Sequence, residues 1–196
     1  MIKDGNITAV YWNSFLAGDK EAFAHFYNLH VEALYRYGTK LCSDSNLVKD
    51  AIQEVFLDLY LKRQKNHVNP VKLRFYLILS LKHNLLKKLK RNRKLIDGKD
   101  CEMLFEPEYS IETSIIEDEL EAEINYRVQA LLKKLPAKQK EALYLRFNEA
   151  LEYQEIAGIL NISVESARKQ VYRAIQSIRN QLNNQSYILW FGFFSK

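Results

Sequence analysis

Apolar side chains recur at helical spacing along this chain, and the pattern predicts a series of amphipathic helices. One begins near Asp19, an N-cap candidate after Gly18, and turns Phe23, Phe26, Tyr27, Leu34 and Tyr37 inward. A second begins near Asp44 or Ser45 with Val48, Ile52, Val55, Phe56 and Leu59 on one face. Its opposite face shows Asp50, Gln53, Glu54 and Leu57 at i, i+3, i+4 and i+7. Three polar groups around one apolar side chain suit a docking stripe for a partner helix, and they suit a solvated face equally well. Residues 64–70 (QKNHVNP) break the pattern, because Asn clusters and the residue before Pro disfavour helix. A further helix is expected from about 71 to 90, with Leu77, Leu81 and Leu85 inward and Lys72, Arg74, Lys82, Lys87, Lys88, Lys90 and Arg91 elsewhere. Phe75 and Tyr76 lie beside the polar loop, where they serve either as core packing or as platforms for unpaired bases, each stacked base being worth about 1–3 kcal/mol.

The sharpest periodicity lies at 153–179 (YQEIAGILNISVESARKQVYRAIQSIR) and reads as a helix-turn-helix. Ile156, Ala157 and Leu160 share one face of the first helix. Asn161 follows where the chain turns, and Asn tolerates a left-handed backbone better than any residue except Gly. Ser163 stands where an N-cap side chain accepts from the free amides of the next helix. In that second helix Ala167, Val171, Ala174 and Ile178 form the buried stripe. Glu165, Ser166, Lys169, Gln170 and Arg173 then face outward, with Arg168 at the flank. A recognition helix in a major groove needs this distribution, although a plain helical hairpin with a solvated face shares it.

Composition supports helices throughout. Among 196 residues there are only six Gly and three Pro, too few for a turn-dense sheet protein, so the expected class is all-α. No basic segment followed by an apolar run opens the chain, and no apolar stretch reaches the roughly eighteen residues of a membrane span. A cytoplasmic protein without stable membrane insertion is expected. Cys42 and Cys101 stand apart from any Cys/His set, so neither a disulfide framework nor a metal site is predicted. His25, His30, His67 and His83 are scattered and there is no GxxxxGK[ST] phosphate loop, which leaves no expected catalytic residue, metal or cofactor.

The net charge of +5 matters less than its arrangement. Residues 62–94 hold twelve Lys or Arg and no acid, whereas 97–123 hold eleven Asp or Glu against one Lys. From 124 onward basic residues again lead, eleven to five. The chain therefore divides into a helical domain at 1–94, an acidic linker at 95–123, a helix-turn-helix domain at 124–185 and an apolar tail at 186–196.

Taken in order, these segments resemble a sigma factor of the extracytoplasmic-function group of the sigma-70 family, the bacterial RNA polymerase subunits that choose promoters. Asp50-Ala51-x-Gln53-x-x-Phe56 matches that family's D-A-x-Q-x-x-F signature, and Asn84 and Arg91 match its N-x-x-x-D-x-x-R pattern, with Lys88 in place of the Asp. Leu135-Pro136, Leu145-Arg146-Phe147, Glu155-Ile156-Ala157-x-x-Leu160-x-Ile162-Ser163 and Arg173-Ala174 follow its LP, LRY, EIA-x-x-L-x-IS and RA elements. Ala150 and Asn161 stand where the family usually has Gly, and Gln170 where it often has Arg. That last change bears on base preference, since an amide pairs best with adenine and a guanidinium with guanine.

The resemblance implies that Asp50, Gln53, Glu54 and Leu57 bind the clamp of core polymerase. It implies that the loop of Lys65, Asn66, His67 and Asn69 receives a flipped base of the minus-ten element, while Asn84, Lys87, Lys88 and Arg91 meet duplex and backbone. Unstacking a base pair costs a few kcal/mol, so a pocket that binds the extruded base traps thermal openings without fuel. Ser166, Arg168, Lys169, Gln170 and Arg173 are implied to read the minus-thirty-five element as duplex. Partners would be core polymerase, promoter DNA and an anti-sigma factor where one exists. The acidic linker, with Met103, Leu104, Phe105, Ile111, Ile115 and Ile116 among its charges, either threads a basic polymerase channel, folds back on the basic helix, or is a solvated, partly helical tether, and in each case it is expected to be mobile in the isolated protein. The tail, YILWFGFF at 187–194, either caps a domain or offers a patch to an anti-sigma partner or membrane surface. A helix-turn-helix regulator that never touches polymerase is the rival class. A peripheral membrane protein built on the basic helix leaves the C-terminal motif unexplained.

Overall fold

The Asp19 carboxylate accepts from the Glu21 N–H at 2.8 Å and opens a 22-residue helix, as its N-cap position predicts. The computed structural model describes residues 3–65, 68–94, 105 and 119–182, and every regular element among them is helical. Asn66, His67, Cys101, the other linker residues up to 118 apart from Phe105, and the apolar tail lie outside the described residues. By contact the chain divides into two compact units, Met1–Glu102 and Met103–Lys196. The fold is all-α, as composition predicts.

The first unit contains α1 (Lys3–Ala17), α2 (Lys20–Leu41), α3 (Ser45–Leu61), a 3-10 turn at Pro70–Lys72 and α4 (Leu73–Lys94). Helix α1 is not announced by the apolar pattern, and the helix expected to come first is the second. Its sequence includes Gly5, Asn6 and Thr8, which are weak helix formers, so tertiary packing supplies what propensity does not. Trp12 and Phe15 are buried and meet Phe26 of α2 edge to face, with centroids 5.6 and 6.0 Å apart. Gly18 closes α1 with a φ of 96°, a conformation open to glycine at little cost.

Asp44 caps α3 by accepting from the N–H groups of Asn46 and Leu47 at 3.0 and 3.1 Å. The inward stripe of α3 is buried as predicted: Val48, Ile52, Val55, Phe56 and Leu59. Each such side chain contributes about 1.5–3 kcal/mol. Gly38 lets α2 approach α3 closely, since a Cβ there would sit 2.6 Å from Val48 Cγ1. The chain enters α4 through the 3-10 turn rather than directly, because Asn69 Oδ1 accepts from the Val71 N–H at 3.0 Å and Pro70 presets the backbone. Leu77, Leu81 and Leu85 are fully buried in α4, and so is Ile78. Lys82, expected away from the core, is buried too. It lies one turn after Ile78 and beside Leu81, inside the inner arc, where a lysine's four-carbon stem packs as an apolar group.

The second unit contains α5 (Glu119–Lys134), α6 (Ala137–Phe147), α7 (Tyr153–Leu160) and α8 (Val164–Gln181). Helix α5 starts inside the acidic segment, a few residues before the boundary that charge suggests. Pro136 separates α5 from α6. Within the core the Tyr144 hydroxyl donates to Glu149 Oε1 at 2.9 Å, which gives that buried carboxylate a partner. Phe105 belongs by sequence to the linker, yet only 1% of it is exposed, and its ring lies 5.7 Å from that of Tyr144. At this residue the linker is anchored to the second unit rather than free.

Candidate nucleic-acid and partner interfaces

The turn of the helix-turn-helix forms where the sequence places it. Asn161 adopts φ 51° and ψ 53°, and the Ile162 N–H returns to the Ala157 carbonyl at 3.0 Å, closing α7. Ser163 then caps α8 by accepting from the Ser166 N–H at 3.1 Å. Ala167, Val171, Ala174 and Ile178 are buried, which turns Arg168, Lys169 and Arg173 to solvent. Gln170 and Ser166 are half-buried, and Ser166 Oγ is held 2.9 Å from Ser163 Oγ at the cap. Lys169 pairs with Glu165 one turn earlier at 2.6 Å. The Arg168 guanidinium lies 5.6 Å from the Tyr153 ring centre and that of Arg146 lies 5.0 Å from it, so one aromatic ring orients two cations. Arg146 also donates to the Leu151 carbonyl at 2.9 Å, bracing the α6–α7 turn.

Tyr172 escaped the sequence prediction. It lies between Val171 and Arg173 and is 65% exposed, on a helix whose other large apolar groups are mostly inside. A ring exposed at that level beside three cations was available as a signal from the helical period alone.

On the first unit, Asp50, Gln53, Glu54 and Leu57 all lie on the outer face of α3, and Leu57 is 56% exposed. Beside them runs a groove of about 330 Å³ between α3 and α4, lined by Glu54, Val55, Leu57, Asp58, Leu61, Tyr76, Ser80 and Asn84. Tyr76 therefore belongs to this groove, and Phe75 is half-buried. Glu54 is unlike its neighbours on the stripe. Its Oε1 accepts from Lys88 Nζ at 2.6 Å and its Oε2 from Asn84 Nδ2 at 2.8 Å, across from α3 to α4. Hydrogen bonds from Lys88 and then Asn84 hold the Glu54 carboxyl below its ordinary pKa.

The structure thus joins residues to which the family resemblance gives different expected jobs, Glu54 to polymerase and Asn84 and Lys88 to DNA. Lys87, Lys90 and Arg91 are exposed farther along α4, and Lys65 is exposed just after α3. Asn69 is exposed, but its carbonyl oxygen is committed to the cap of the 3-10 turn.

These faces belong to a two-unit helical protein whose second unit contains a helix-turn-helix with an exposed cationic face. Residues 26–95 match the family description "Sigma-70 region 2", and residues 126–178 match "Sigma-70, region 4". The chain is 24% identical over 174 residues to "ECF RNA polymerase sigma factor SigW" of Bacillus subtilis (strain 168), covering 85% of this chain and 92% of that protein. It is 23% identical over 159 residues to "ECF RNA polymerase sigma factor SigM" of the same organism, covering 80% and 93%. Among solved structures it is similar to CnrH in complex with the cytosolic domain of CnrY, with a TM-score of 0.54 at 18% identity over 86% of this chain and 92% of that one. It is also similar to the sigma factor RpoE in complex with the anti-sigma factor NepR from Bartonella quintana, with a TM-score of 0.55 at 18% identity over 81% and 95%. The chain belongs to the sigma-70 family, in its extracytoplasmic-function group, and is an RNA polymerase sigma factor that directs transcription initiation at promoters. Helix α1 lies before the matched region-2 segment.

Proposed function

We propose that the two units divide the work of a sigma factor at the residues described above. The outer face of α3, with Asp50, Gln53 and Leu57 beside the α3–α4 groove, docks on the polymerase clamp. The loop of Lys65, Asn66, His67 and Asn69, together with Asn84, Lys87, Lys88 and Arg91 of α4, holds the minus-ten element. Helix α8 enters the major groove of the minus-thirty-five element and presents Arg168, Lys169, Gln170 and Arg173, with Ser166 at its N-terminal end. Tyr172 adds an apolar contact of the kind that reads a thymine methyl. Strand opening draws on binding energy alone, so the protein acts without catalysis of its own, in the cytoplasm where polymerase and chromosome are. The observation that carries this reading is the exposure of Arg168, Lys169 and Arg173 on the face of α8 opposite a wholly buried stripe. An anti-sigma factor is a further proposed partner, supported by the RpoE–NepR structure.

The test is run-off transcription with bacterial core polymerase on genomic promoter fragments. Wild-type protein is expected to create new start sites. Asp50→Ala with Gln53→Ala is expected to lose holoenzyme assembly, and Arg168→Ala with Arg173→Ala to keep assembly while losing dependence on the minus-thirty-five element. Normal assembly by the first pair would overturn the clamp assignment, and undiminished minus-thirty-five dependence in the second would overturn the recognition-helix assignment.

A further inference from the structure

A carboxylate can only accept hydrogen bonds, so the group that an asparagine turns toward it must be the amide nitrogen. This settles the orientation of Asn84: Nδ2 faces Glu54 Oε2 at 2.8 Å, and the free groups are the carbonyl oxygen and the second N–H. With the N–H trans to the carbonyl given to Glu54, the remaining pair is the one an asparagine uses to read adenine, accepting from N6 and donating to N7. Without Glu54 the amide has two nearly isosteric orientations, and only one of them presents the reading edge correctly. The other oxygen of Glu54 is occupied by Lys88 at 2.6 Å, which sits one turn after Asn84 on the same helix. Lys88 is the better shielded partner, its side chain 23% exposed against 53% for Glu54. The clasp therefore spans α3 and α4 and is anchored at its inner end.

We infer that Glu54 is a positioning residue for promoter recognition, holding the Asn84 amide so that its free edge reads an adenine of the minus-ten element. This rests on the assignment of α4 to that element in the proposed function. It moves Glu54 from the polymerase contact set to the DNA-reading set, where it acts through Asn84. Lys88 contributes by keeping the carboxylate charged and fixed in place, and the acid that the family carries at position 88 would stand against Glu54 rather than with it.

The test uses full-length protein assembled with core polymerase on forked promoter DNA, with each minus-ten adenine replaced in turn by 7-deazaadenine, which lacks the N7 acceptor. Wild-type holoenzyme is expected to show one position where the replacement weakens binding about fivefold to tenfold, the loss of one hydrogen bond with its donor left unpaired. Asn84→Ala abolishes that penalty. Glu54→Met, close in volume but without acceptors, reduces it to about twofold or less, whereas Glu54→Gln, whose carbonyl can still accept from Asn84, retains most of it. Lys88→Met removes the group that fixes the carboxylate and is expected to reduce the penalty, by less than Glu54→Met does. An unchanged penalty in Glu54→Met overturns the inference, as does the absence of any sensitive adenine in wild type. Failure of the wild-type chain to assemble with core polymerase is a separate result: it removes the proposed function and this inference with it.

Discussion

Helices α4 and α8 both carry clusters of cations, but they hold them in different ways. On α8 Lys169 pairs within the helix, with Glu165 one turn away, and both groups are more than half exposed. Such i,i+4 pairs are worth about 0.3–0.5 kcal/mol and break readily when a phosphate competes. On α4 the partner comes from another helix: Lys88 and Asn84 close on Glu54, and Lys82 is buried against the core. A helix that slides into duplex needs side chains free to find phosphates and base edges. One that works beside an opened strand gains from groups already oriented, because the cost of ordering them was met on folding.

The second unit depends on a residue outside its locally ordered helices, and the largest effect expected is at Phe105. Phe105→Ala removes a buried ring from the Tyr144 contact and is expected to cost about 3–5 kcal/mol. Hydrogen exchange read by mass spectrometry would show lost protection in α6–α8 and none lost in α2–α4. In the first unit the corresponding long-range contact is the close approach of α2 and α3. Gly38→Ala forces a methyl against Val48 and is expected to cost about 1–3 kcal/mol, seen as a lower denaturation midpoint of α2–α4 with the second unit unmoved.

The first unit also carries a response to acid. His30 of α2 has its pKa lowered from 6.5 to about 4 by burial first, then by Arg74 and His25. The folded first unit therefore binds fewer protons than the unfolded chain between those values. Its stability is fully present above pH 6.5 and falls as pH drops from 6.5 toward about 4. Denaturation followed across that range is expected to show the loss, and His30→Gln to flatten it. The smallest effect belongs to the α6–α7 turn, where Ala150 takes a φ of 53° at a position the family gives to Gly. Ala150→Gly relieves that strain and is expected to gain about 0.5–1 kcal/mol, net of the extra freedom of an unfolded glycine, raising the melting temperature by a few degrees. A melting temperature that falls would mean the backbone there is not strained.

Much of the second unit was legible because its instructions are local. Asn161 and Ser163 act on amides within a few residues, and the stripe from Ala167 to Ile178 is written in one helix. The same holds for Asp19 and Asp44 as caps and for the outward set of α3. What stayed hidden depends on partners far away in the chain. Helix α1 forms because Trp12 and Phe15 find Phe26, not because its own residues favour a helix. Lys82 is inside because Ile78 widens the inner arc of α4, and Asn69 is a cap because the chain takes a 3-10 turn before that helix.

Spacing along single stretches of chain is enough to set the helical class, the caps at Asp19, Asp44 and Ser163 and the two outward faces, and the ordered motifs carry the family resemblance. It takes the folded packing to bring Glu54 against Asn84 and Lys88 and to put Phe105 into the second core. A pairing across thirty positions leaves no periodic trace, and an acid on an exposed stripe looks the same in sequence whether it meets water or an amide.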